Sequence, residues 1–489
     1  MAANRVRAPE IDRPGLVWLN TARPQGLADL KGRLVLLDFW TLCCINCIQV
    51  LPTLRRIEER FADRVTVIGV HSPKFAAERE TANVEQAVRR YGIRHPVISD
   101  PDMTLWRHYA VRAWPTLVFI DPQGYVVGQV SGEPDPDRLE QAIARMLEAA
   151  EADGLLSPGL LPEAPQADAG GRLSFPGKIK PLAGERAGFA IADAGHHQVV
   201  VVDDDGAEVR RFGSGRPGLE DGGPGDACFQ SPQGLVAAAG AIFVADTGNH
   251  ALRRIDLATG AVGTLAGTGR RGPVIHAGAP GPATALASPW DLEVRGNLLV
   301  VANAGTHQLL AFDLDTGTVA PLAGTGGENI ADGPAAQALL AQTSGLCWGP
   351  DGELCFADSE TSSIRRLRLE DTDPQVETLV GEGLFVFGHV NGPFGEARLQ
   401  HALGVCRDGA GLLVADSYNR AIRRLDLDAR VVADLDDGRY LCTDDVCLPL
   451  AEPAGVWSDG AGRVLVSDTN NHRITVYDAD TMTTRTWFS

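Results

Sequence analysis

One motif recurs six times in the last two thirds of this 489-residue chain. Each copy is an apolar run that ends in Asp or Asn, followed by a polar turn and a second strand-like run, as in FVADTGNHALRRID at 243–256. Repeats of about this length are typical of solenoids, propellers and other repeat arrays. The marking residue is Asp193, Asp246, Asn303, Asp358, Asp416 and Asp468, so successive copies lie 53, 57, 55, 58 and 52 residues apart.

Each repeat contains four strand-like segments. Six such units predict a six-bladed β-propeller, because radial repetition leaves only short, protected sheet edges. The 55 glycines fit a turn-rich β structure. The first unit, from about residue 172, and the last, which ends with RTWF at 485–488, each hold all four segments. We therefore expect the ring to close without a swapped strand.

The first 150 residues follow a different pattern, in which continuous apolar runs alternate with segments of helical spacing. This alternation predicts an α/β layer fold. Strands are expected at 33–40, 65–72, 116–121 and 125–132, and helices at 46–61, 76–92 and 136–152.

Residues 153–171 are rich in Pro, Ala and Gly and have no period, which predicts a linker. The expected division of the chain is therefore an α/β domain at 1–152, a linker at 153–171 and a propeller at 172–489.

The segment TLCCINC at 41–47 holds three of the nine cysteines. Cys44 and Cys47 lie at the predicted junction between the first strand and the first helix. A helix N-terminus carries partial positive charge and free N–H groups, which favour a thiolate. In such a pair the first cysteine attacks a disulfide, and the second, one turn into the helix, resolves the mixed disulfide. The pattern predicts a thiol–disulfide oxidoreductase that acts on a protein or small-molecule thiol or disulfide.

Residues 10–150 resemble thioredoxin-like proteins, in particular the TlpA-like branch. The resemblance is carried by DFWTLCCINC at 38–47, WPT at 114–116 and FIDPQG at 119–124, in the order and at the spacing of that family. It implies Cys44 and Cys47 as the redox pair, Asp38 as the buried proton acceptor of the resolving cysteine, Pro52 as a helix-kinking proline, and Pro115 as a cis-proline that contacts the substrate backbone.

Trp40 and the cysteine pair match the thioredoxin pattern, but four residues in the quoted motifs depart from it. Cys43 replaces a Trp, Ile45-Asn46 replace Gly-Pro, and Trp114 is bulkier than the usual residue before the cis-proline. Because such changes alter redox potential more readily than fold, a second hypothesis is a non-catalytic interaction scaffold with a degenerate thioredoxin-like domain.

Other interpretations of the cysteine segment are weaker. Cys43 fits a small buried apolar residue better than a third redox thiol. A structural zinc ion needs four ligands, commonly from a second paired motif, and no such pair is near. Thr41 precedes Cys44 by three residues, as in peroxiredoxins, but Leu37 stands where their proline lies. We therefore predict no metal and no cofactor.

The repeats resemble NHL repeats over 172–489. Together with the first domain and CCINC, the whole chain is similar to the NHL-repeat-containing protein 2 family in its bacterial form. Human-type members carry a further C-terminal β domain, which we expect this chain to lack. The resemblance implies a propeller that recruits a protein partner or shields the cysteine pair.

The polar residues of the repeats have a predicted architectural role. Asp and Asn at the turn between the second and third strands are expected to bond their own backbone. A propeller enzyme with a metal held by His and acids, such as a lyase or lactonase, is the weaker alternative. The histidines that recur at these turns, and are expected to be structural, are His196, His250, His307 and His472.

Other residues of the repeats are expected to serve packing. The paired arginines, expected to alternate between packing and solvent, are Arg253-Arg254, Arg365-Arg366 and Arg423-Arg424. Cys228, Cys347, Cys355 and Cys406 are predicted core residues. Cys442 and Cys447, in CTDDVC, have the spacing of a disulfide across a hairpin, but free thiols are the expectation for a cytoplasmic chain.

The distribution of charge along the chain indicates which classes of partner the protein can bind. The first 150 residues carry 19 basic and 18 acidic side chains, so the net charge of −19 arises after residue 150. Nucleic-acid binding needs clustered Lys and Arg, so this acidic half predicts no nucleic-acid partner. The N-terminus has no apolar signal region, and no run of about 18 apolar residues occurs, which predicts a cytoplasmic protein without membrane contact.

Overall fold

The computed structural model describes residues 5–157, 159, 171–182, 188–369, 373–435, 442–443, 446–447, 450–479, 481 and 483–489. The chain divides into two compact units, residues 1–168 and residues 169–489. Part of the segment predicted to be a linker contacts the first unit, because the N–H groups of Ser157 and Gly159 donate to the carbonyls of Gly32 and Asp63.

The first unit is built on a seven-stranded sheet in the order β1-β7-β6-β3-β4-β5-β2. The central strand β3 pairs in parallel with β4 and antiparallel with β6. The strands are β1 (Val6–Arg7), β2 (Val17–Leu19), β3 (Leu34–Trp40), β4 (Val65–His71), β5 (Val97–Ser99), β6 (Thr116–Ile120) and β7 (Tyr125–Ser131).

Four α-helices cover this sheet: α1 (Ile45–Arg60), α2 (Thr81–Arg90), α3 (Thr104–His108) and α4 (Pro136–Ala152). The single helix predicted at 76–92 is wrong. A 3₁₀ turn at Ala76–Arg79 precedes α2, and Glu80 between them is extended. The break arises because Glu78 points inward and accepts hydrogen bonds from the N–H groups of Lys74 and Phe75, at 2.7 and 2.8 Å. The short elements β1, β2, β5 and α3 were not predicted.

The two faces of β3 have different neighbours, because side chains alternate along a strand. Leu34 and Leu36 pack in one cluster with Val50 of α1 and Leu139 of α4. The intervening side chains of β3 pack in a second cluster on the opposite face. Asp38 follows the alternation of Leu34 and Leu36, which places a carboxyl group under the start of α1. Together with the strand order, this is the thioredoxin-like fold that was expected.

The second unit is a six-bladed β-propeller, as predicted. Three blades carry an additional two-residue strand, and a short hairpin precedes the last blade. The six sets of four strands are β8 (Pro176–Pro181), β9 (Phe189–Asp193), β10 (Gln198–Val202) and β11 (Glu208–Phe212); β12 (Gly234–Ala238), β13 (Ala241–Asp246), β14 (Ala251–Asp256) and β15 (Val262–Ala266); β17 (Pro289–Arg295), β18 (Leu298–Asn303), β19 (Gln308–Asp313) and β20 (Thr318–Ala323); β22 (Thr343–Trp348), β23 (Leu354–Asp358), β24 (Ser363–Arg368) and β25 (Gln375–Val380); β27 (Gly404–Asp408), β28 (Gly411–Asp416), β29 (Ala421–Asp426) and β30 (Val431–Asp434); and β33 (Pro453–Ser458), β34 (Arg463–Asp468), β35 (Arg473–Asp478) and β36 (Thr483–Phe488). The additional strands are β16 (Ala279–Pro280), β21 (Gly333–Pro334) and β26 (Gly392–Pro393), and the hairpin is β31 (Cys442–Thr443) with β32 (Val446–Cys447).

The first strands of the blades form the inner wall of the ring. Each contacts the first strand of the next blade, and β33 contacts β8 to close the circle. The first and last blades each contain four consecutive strands, so the ring closes without a swapped strand, as predicted. Two hydrogen bonds join these end blades: Thr469 Oγ1 donates to the Pro176 carbonyl at 2.8 Å, and the Phe175 N–H donates to His472 Nδ1 at 3.1 Å.

The aspartate at each blade turn is a bridge between distant segments, and the predicted bond to its own backbone is wrong. Asp246 accepts the N–H of Gln230 at 2.7 Å on one oxygen, while Asn249 and Arg253 donate to the other at 2.8 and 2.9 Å. Burial raises the pKa of Asp246 to about 6, against the opposing effect of Arg253. Asp358 with Arg365 and Asp416 with Arg423 repeat the arrangement.

The paired arginines alternate as predicted. Arg253, Arg365 and Arg423 are fully buried, whereas the side chains of Arg254, Arg366 and Arg424 are 40%, 16% and 54% exposed. Cys228, Cys347, Cys355 and Cys406 are buried, also as predicted. The backbones of Cys442 and Cys447 pair across the short hairpin. Their side chains lie outside the described residues.

The turn histidines link neighbouring blades. His250 and His307 adopt positive φ, and their Nδ1 atoms accept the N–H groups of Ser288 and Gln342 in the next blade at 2.9 and 3.0 Å. In the first blade this position is held by His197, which accepts the N–H of Ser231 at 3.1 Å. The alignment of His196 with the others was therefore wrong by one residue.

Candidate functional site

Cys44 lies where β3 and the loop after it enter α1. It is the N-cap of that helix, and its Sγ accepts a hydrogen bond of 3.2 Å from the backbone N–H of Cys47. Cys44 is partly exposed, whereas Cys47 is 1% exposed. A sulfur at this position faces the positive end of the helix and one of its free N–H groups, which stabilises negative charge. The arrangement suits an accessible nucleophile above a protected second thiol.

Asp38 lies beneath the cysteine pair and is 1% exposed. Among the described residues, neither of its carboxyl oxygens has a hydrogen-bond partner. Burial raises its pKa to about 7, against the opposing effect of His95. Burial is also the main cause that raises the pKa of Cys47 well above its usual value, with further contributions from Cys44 and Asp38. The carboxyl group of Asp38 thus has a pKa near neutrality, and the thiol of Cys47 holds its proton more tightly than an ordinary cysteine does.

Pro115 reaches the same edge of the sheet. Thr116, the first residue of β6, pairs with Phe39 near the end of β3, so the preceding proline lies at the end of the sheet from which the cysteine loop leaves. The Trp114–Pro115 peptide bond is cis. Its contact with a substrate backbone, implied by the resemblance, remains a prediction.

The unusual Trp114 has a structural anchor. Its indole N–H donates to the Ser72 carbonyl at 2.9 Å, and its ring stacks at a tilt on Trp106, with centroids 4.3 Å apart. Trp40, at the end of β3, is buried and packs its ring edge against His71 at 5.1 Å. Both tryptophans thus have partners within the first unit.

Cys43 is 3% exposed, and its backbone N–H donates to Glu78 Oε1 at 3.0 Å. Burial raises the pKa of Glu78, although its hydrogen bonds with the backbone act in the opposite direction. Glu78 thereby ties the cysteine loop to the segment that follows β4. Pro52 lies inside α1, as expected from the resemblance.

Sequence reasoning missed three buried polar residues around the pair: Glu78, His71 and His95. Burial lowers the pKa of His71 to about 3, so it is neutral at physiological pH. In the linear sequence Glu78 has the spacing of a surface helix residue, and His95 sits in a loop. No local pattern marks them, because their contacts join segments far apart in the chain.

The inner wall of the propeller carries two buried lysines from β8. Lys178 donates to the carbonyls of Leu403 and Ala454, and Lys180 donates to Glu293 Oε1 at 2.6 Å and to the Leu346 carbonyl at 3.2 Å. Burial opposes protonation of Lys180, but Glu293 and Asp291 raise its pKa above the usual value. The ammonium group of Lys180 therefore balances the charge of the buried carboxyl groups that face it.

Comparison with known proteins gives two kinds of match. The thioredoxin-like family matches residues 32–126, and the NHL repeat matches residues 450–477. The chain is 37% identical to NHL repeat-containing protein 2 of Homo sapiens over 96% of this chain and 69% of the relative. It is 39% identical to Protein SUPPRESSOR OF QUENCHING 1, chloroplastic, of Arabidopsis thaliana, over 95% of this chain but 46% of that protein, so it spans about half of that relative's length.

A third relative covers the first unit alone. Thiol-disulfide oxidoreductase ResA of Bacillus anthracis is 32% identical over 23% of this chain and 64% of its own length. In the part of the chain that the structure describes, no helix combines the length and apolar character needed to cross a bilayer.

Proposed function

Since the chain belongs to the NHL repeat-containing protein 2 family and carries a Cys-x-x-Cys pair at the start of α1, we propose that it is a thiol–disulfide oxidoreductase. Cys44 is the attacking thiolate, Cys47 the resolving thiol, and the propeller a binding platform for a protein partner. The observation that carries the proposal is the 3.2 Å hydrogen bond from the Cys47 N–H to Cys44 Sγ at the helix N-cap.

The reaction proceeds in two exchanges. The Cys44 thiolate attacks one sulfur of a substrate disulfide, forms a mixed disulfide and releases the other sulfur as a thiolate. Cys47 then loses its proton to Asp38, and its thiolate attacks Cys44 Sγ, releasing the second substrate thiolate and leaving a Cys44–Cys47 disulfide. The substrate gains two electrons, and the cysteine pair loses them.

The different burial of the two sulfurs gives them different roles in the proposed reaction. Cys44 is accessible, so it meets the substrate, while the buried Cys47 stays protonated until Asp38 takes its proton. Pro115, at the same edge of the sheet, is proposed to align the substrate backbone. A relative named as a thiol-disulfide oxidoreductase, ResA, supports this chemistry for the first unit.

The proposed compartment is the cytoplasm. Cys347 and Cys355 stand directly opposite each other on β22 and β23, and a reducing compartment would keep such a close pair as thiols. Cell fractionation with an antibody against the chain tests this location.

Trapping tests the proposal and names the substrate. A Cys47→Ser chain lacks the resolving thiol, so it should hold partners as mixed disulfides on Cys44, and mass spectrometry of the trapped species identifies them. Cross-linking mass spectrometry of a trapped complex then tests whether the partner touches the propeller. If Cys47→Ser traps no more than the Cys44→Ser, Cys47→Ser double variant does, the interaction-scaffold hypothesis replaces the enzyme.

A further inference from the structure

Two buried polar groups pack against a glycine that lies beside Asp38. Gly69 on β4 pairs with Asp38 on β3 in parallel register, so both residues face the underside of α1. A Cβ atom at Gly69 would lie 3.0 Å from Trp40 Nε1, 3.2 Å from Val97 Cγ2 and 3.4 Å from His95 Nε2. Among the described residues, Trp40 Nε1, His95 Nε2 and both Asp38 oxygens have no hydrogen-bond partner. The absence of a side chain at Gly69 thus lets Trp40 and His95 pack closely against β4, next to the strand position of Asp38.

The other nitrogen of His95 leads toward the surface. His95 Nδ1 lies 3.2 Å from Glu58 Oε1 of α1. The His95 side chain is 3% exposed and that of Glu58 is 25% exposed. A carboxylate acceptor fixes the proton on Nδ1, and this leaves Nε2 as a free acceptor on the side of Asp38. The imidazole therefore connects a buried acid to one that reaches solvent.

We propose that His95 and Glu58 form the route by which the proton that Asp38 takes from Cys47 leaves the protein. His95 Nε2 accepts the proton from Asp38 after a small side-chain rotation, Nδ1–H passes a proton to Glu58, and Glu58 releases it to solvent. Each transfer moves one proton and no electrons. Both residues act through Asp38, so they are positioning residues. This inference rests on the proposed exchange at Cys44 and Cys47.

The titratable groups that act on His95 come from two elements: Glu58 of α1 lies 3.2 Å from Nδ1, and Asp38 of β3 interacts electrostatically with the imidazole. His71 of β4 packs against Trp40. His71 is neutral above pH 3, since burial lowers its pKa to about 3, so it does not titrate in the relevant range. His95 acts to lower the pKa of Asp38, so its removal should raise that pKa and move the pH dependence of the Cys47 step upward.

A chromogenic aryl disulfide separates the two exchanges in one stopped-flow trace. The first burst of coloured thiolate reports attack by Cys44, and the second reports attack by Cys47 on the mixed disulfide. We compare wild type with His95→Gln and Glu58→Gln, and with the control Glu59→Gln, which changes the neighbouring exposed acid of α1. The pH midpoint of the second burst should rise in both test variants, and its rate at pH 7 should fall at least threefold, with the first burst unchanged.

The experiment distinguishes failure of the proton route from failure of the proposed redox function. A second burst in both test variants that matches Glu59→Gln in midpoint and rate overturns the route through His95. Glu58→Gln keeps the test decisive if His95→Gln does not fold. Absence in wild type of a first burst that depends on Cys44, or of a second that depends on Cys47, refutes the proposed function itself.

Discussion

The backbone N–H of Cys47 points at the sulfur of Cys44 and donates to it across 3.2 Å. One turn of helix thus connects an accessible sulfur to a buried one. Helix N-termini in general stabilise negative charge on a group placed there, while burial raises the pKa of Cys47. This division of roles, set by the first turn of α1, leads to the first prediction.

Serine substitutions at the adjacent residues Cys43 and Cys44 should have opposite effects on disulfide reduction. Cys44→Ser should abolish reduction of a chromogenic aryl disulfide, because a serine hydroxyl is not ionised near neutral pH. Cys43→Ser is the matched control, since Cys43 is buried and contributes its backbone N–H to Glu78. It should keep most of the activity. Equal loss in both variants, with unchanged thermal stability, would mean that Cys43 takes part in the chemistry.

Asp38 should make the protein less stable as pH rises. Its folded pKa of about 7 lies above the ordinary value of 3.8, so the folded state binds the extra proton between these two pH values. Unfolding free energy therefore falls from about pH 4 to pH 7, by on the order of 4 kcal/mol. Asp38→Asn should remove this dependence and be relatively more stable at pH 8 in urea denaturation. The exposed Asp102→Asn is the control and should follow wild type.

The buried arginines should matter far more than their neighbours. Arg253→Ala leaves Asp246 buried without its ion-pair partner, which typically costs about 3–5 kcal/mol. Arg254→Ala removes a side chain that is 40% exposed and should cost within about 0.5 kcal/mol. Chemical denaturation of both variants measures the difference. A cost for Arg253→Ala no larger than that for Arg254→Ala would contradict the role given to these turns.

Lys180 should support the inner wall of the propeller. Lys180→Met leaves Glu293 buried without the ammonium that lies 2.6 Å away, so a loss of about 3–5 kcal/mol is expected. A double variant, Lys180→Met with Glu293→Met, removes both charges and should recover much of that loss. Thermal unfolding compares the three proteins. Additive destabilisation in the double variant would show that the pair is not coupled.

The parts of the site that lie close together in the chain were predictable. Cys44 and Cys47 stand three residues apart, and Asp38 precedes them on one strand. Pro115 was predicted because WPT at 114–116 resembles the cis-proline loop of thioredoxin-like proteins. By contrast, His95 reaches Glu58 across 37 residues and Glu78 reaches Cys43 across 35. Such contacts form only when the sheet and helices pack.

In the propeller, too, features set by the local sequence were predictable, whereas contacts between distant segments were not. Blade number followed from the spacing of six Asp or Asn residues, because one period corresponds to one blade. The alignment chose His196 where the structure has His197, because the segment HHQ contains two adjacent histidines. Only the fold shows that His197 adopts positive φ and accepts the N–H of Ser231. The partner of Asp246, Gln230, was equally hidden, since it lies in the loop before the blade's first strand.

A redox titration measures whether Cys44 and Cys47 form the redox pair. The purified full-length chain is equilibrated in dithiothreitol buffers that span reducing to oxidising potentials, its free thiols are alkylated, and peptides around α1 are analysed by mass spectrometry. We expect one two-electron transition in which Cys44 and Cys47 become linked to each other while Cys43 remains alkylated. Cys44 and Cys47 that stay alkylated at every potential would contradict this expectation.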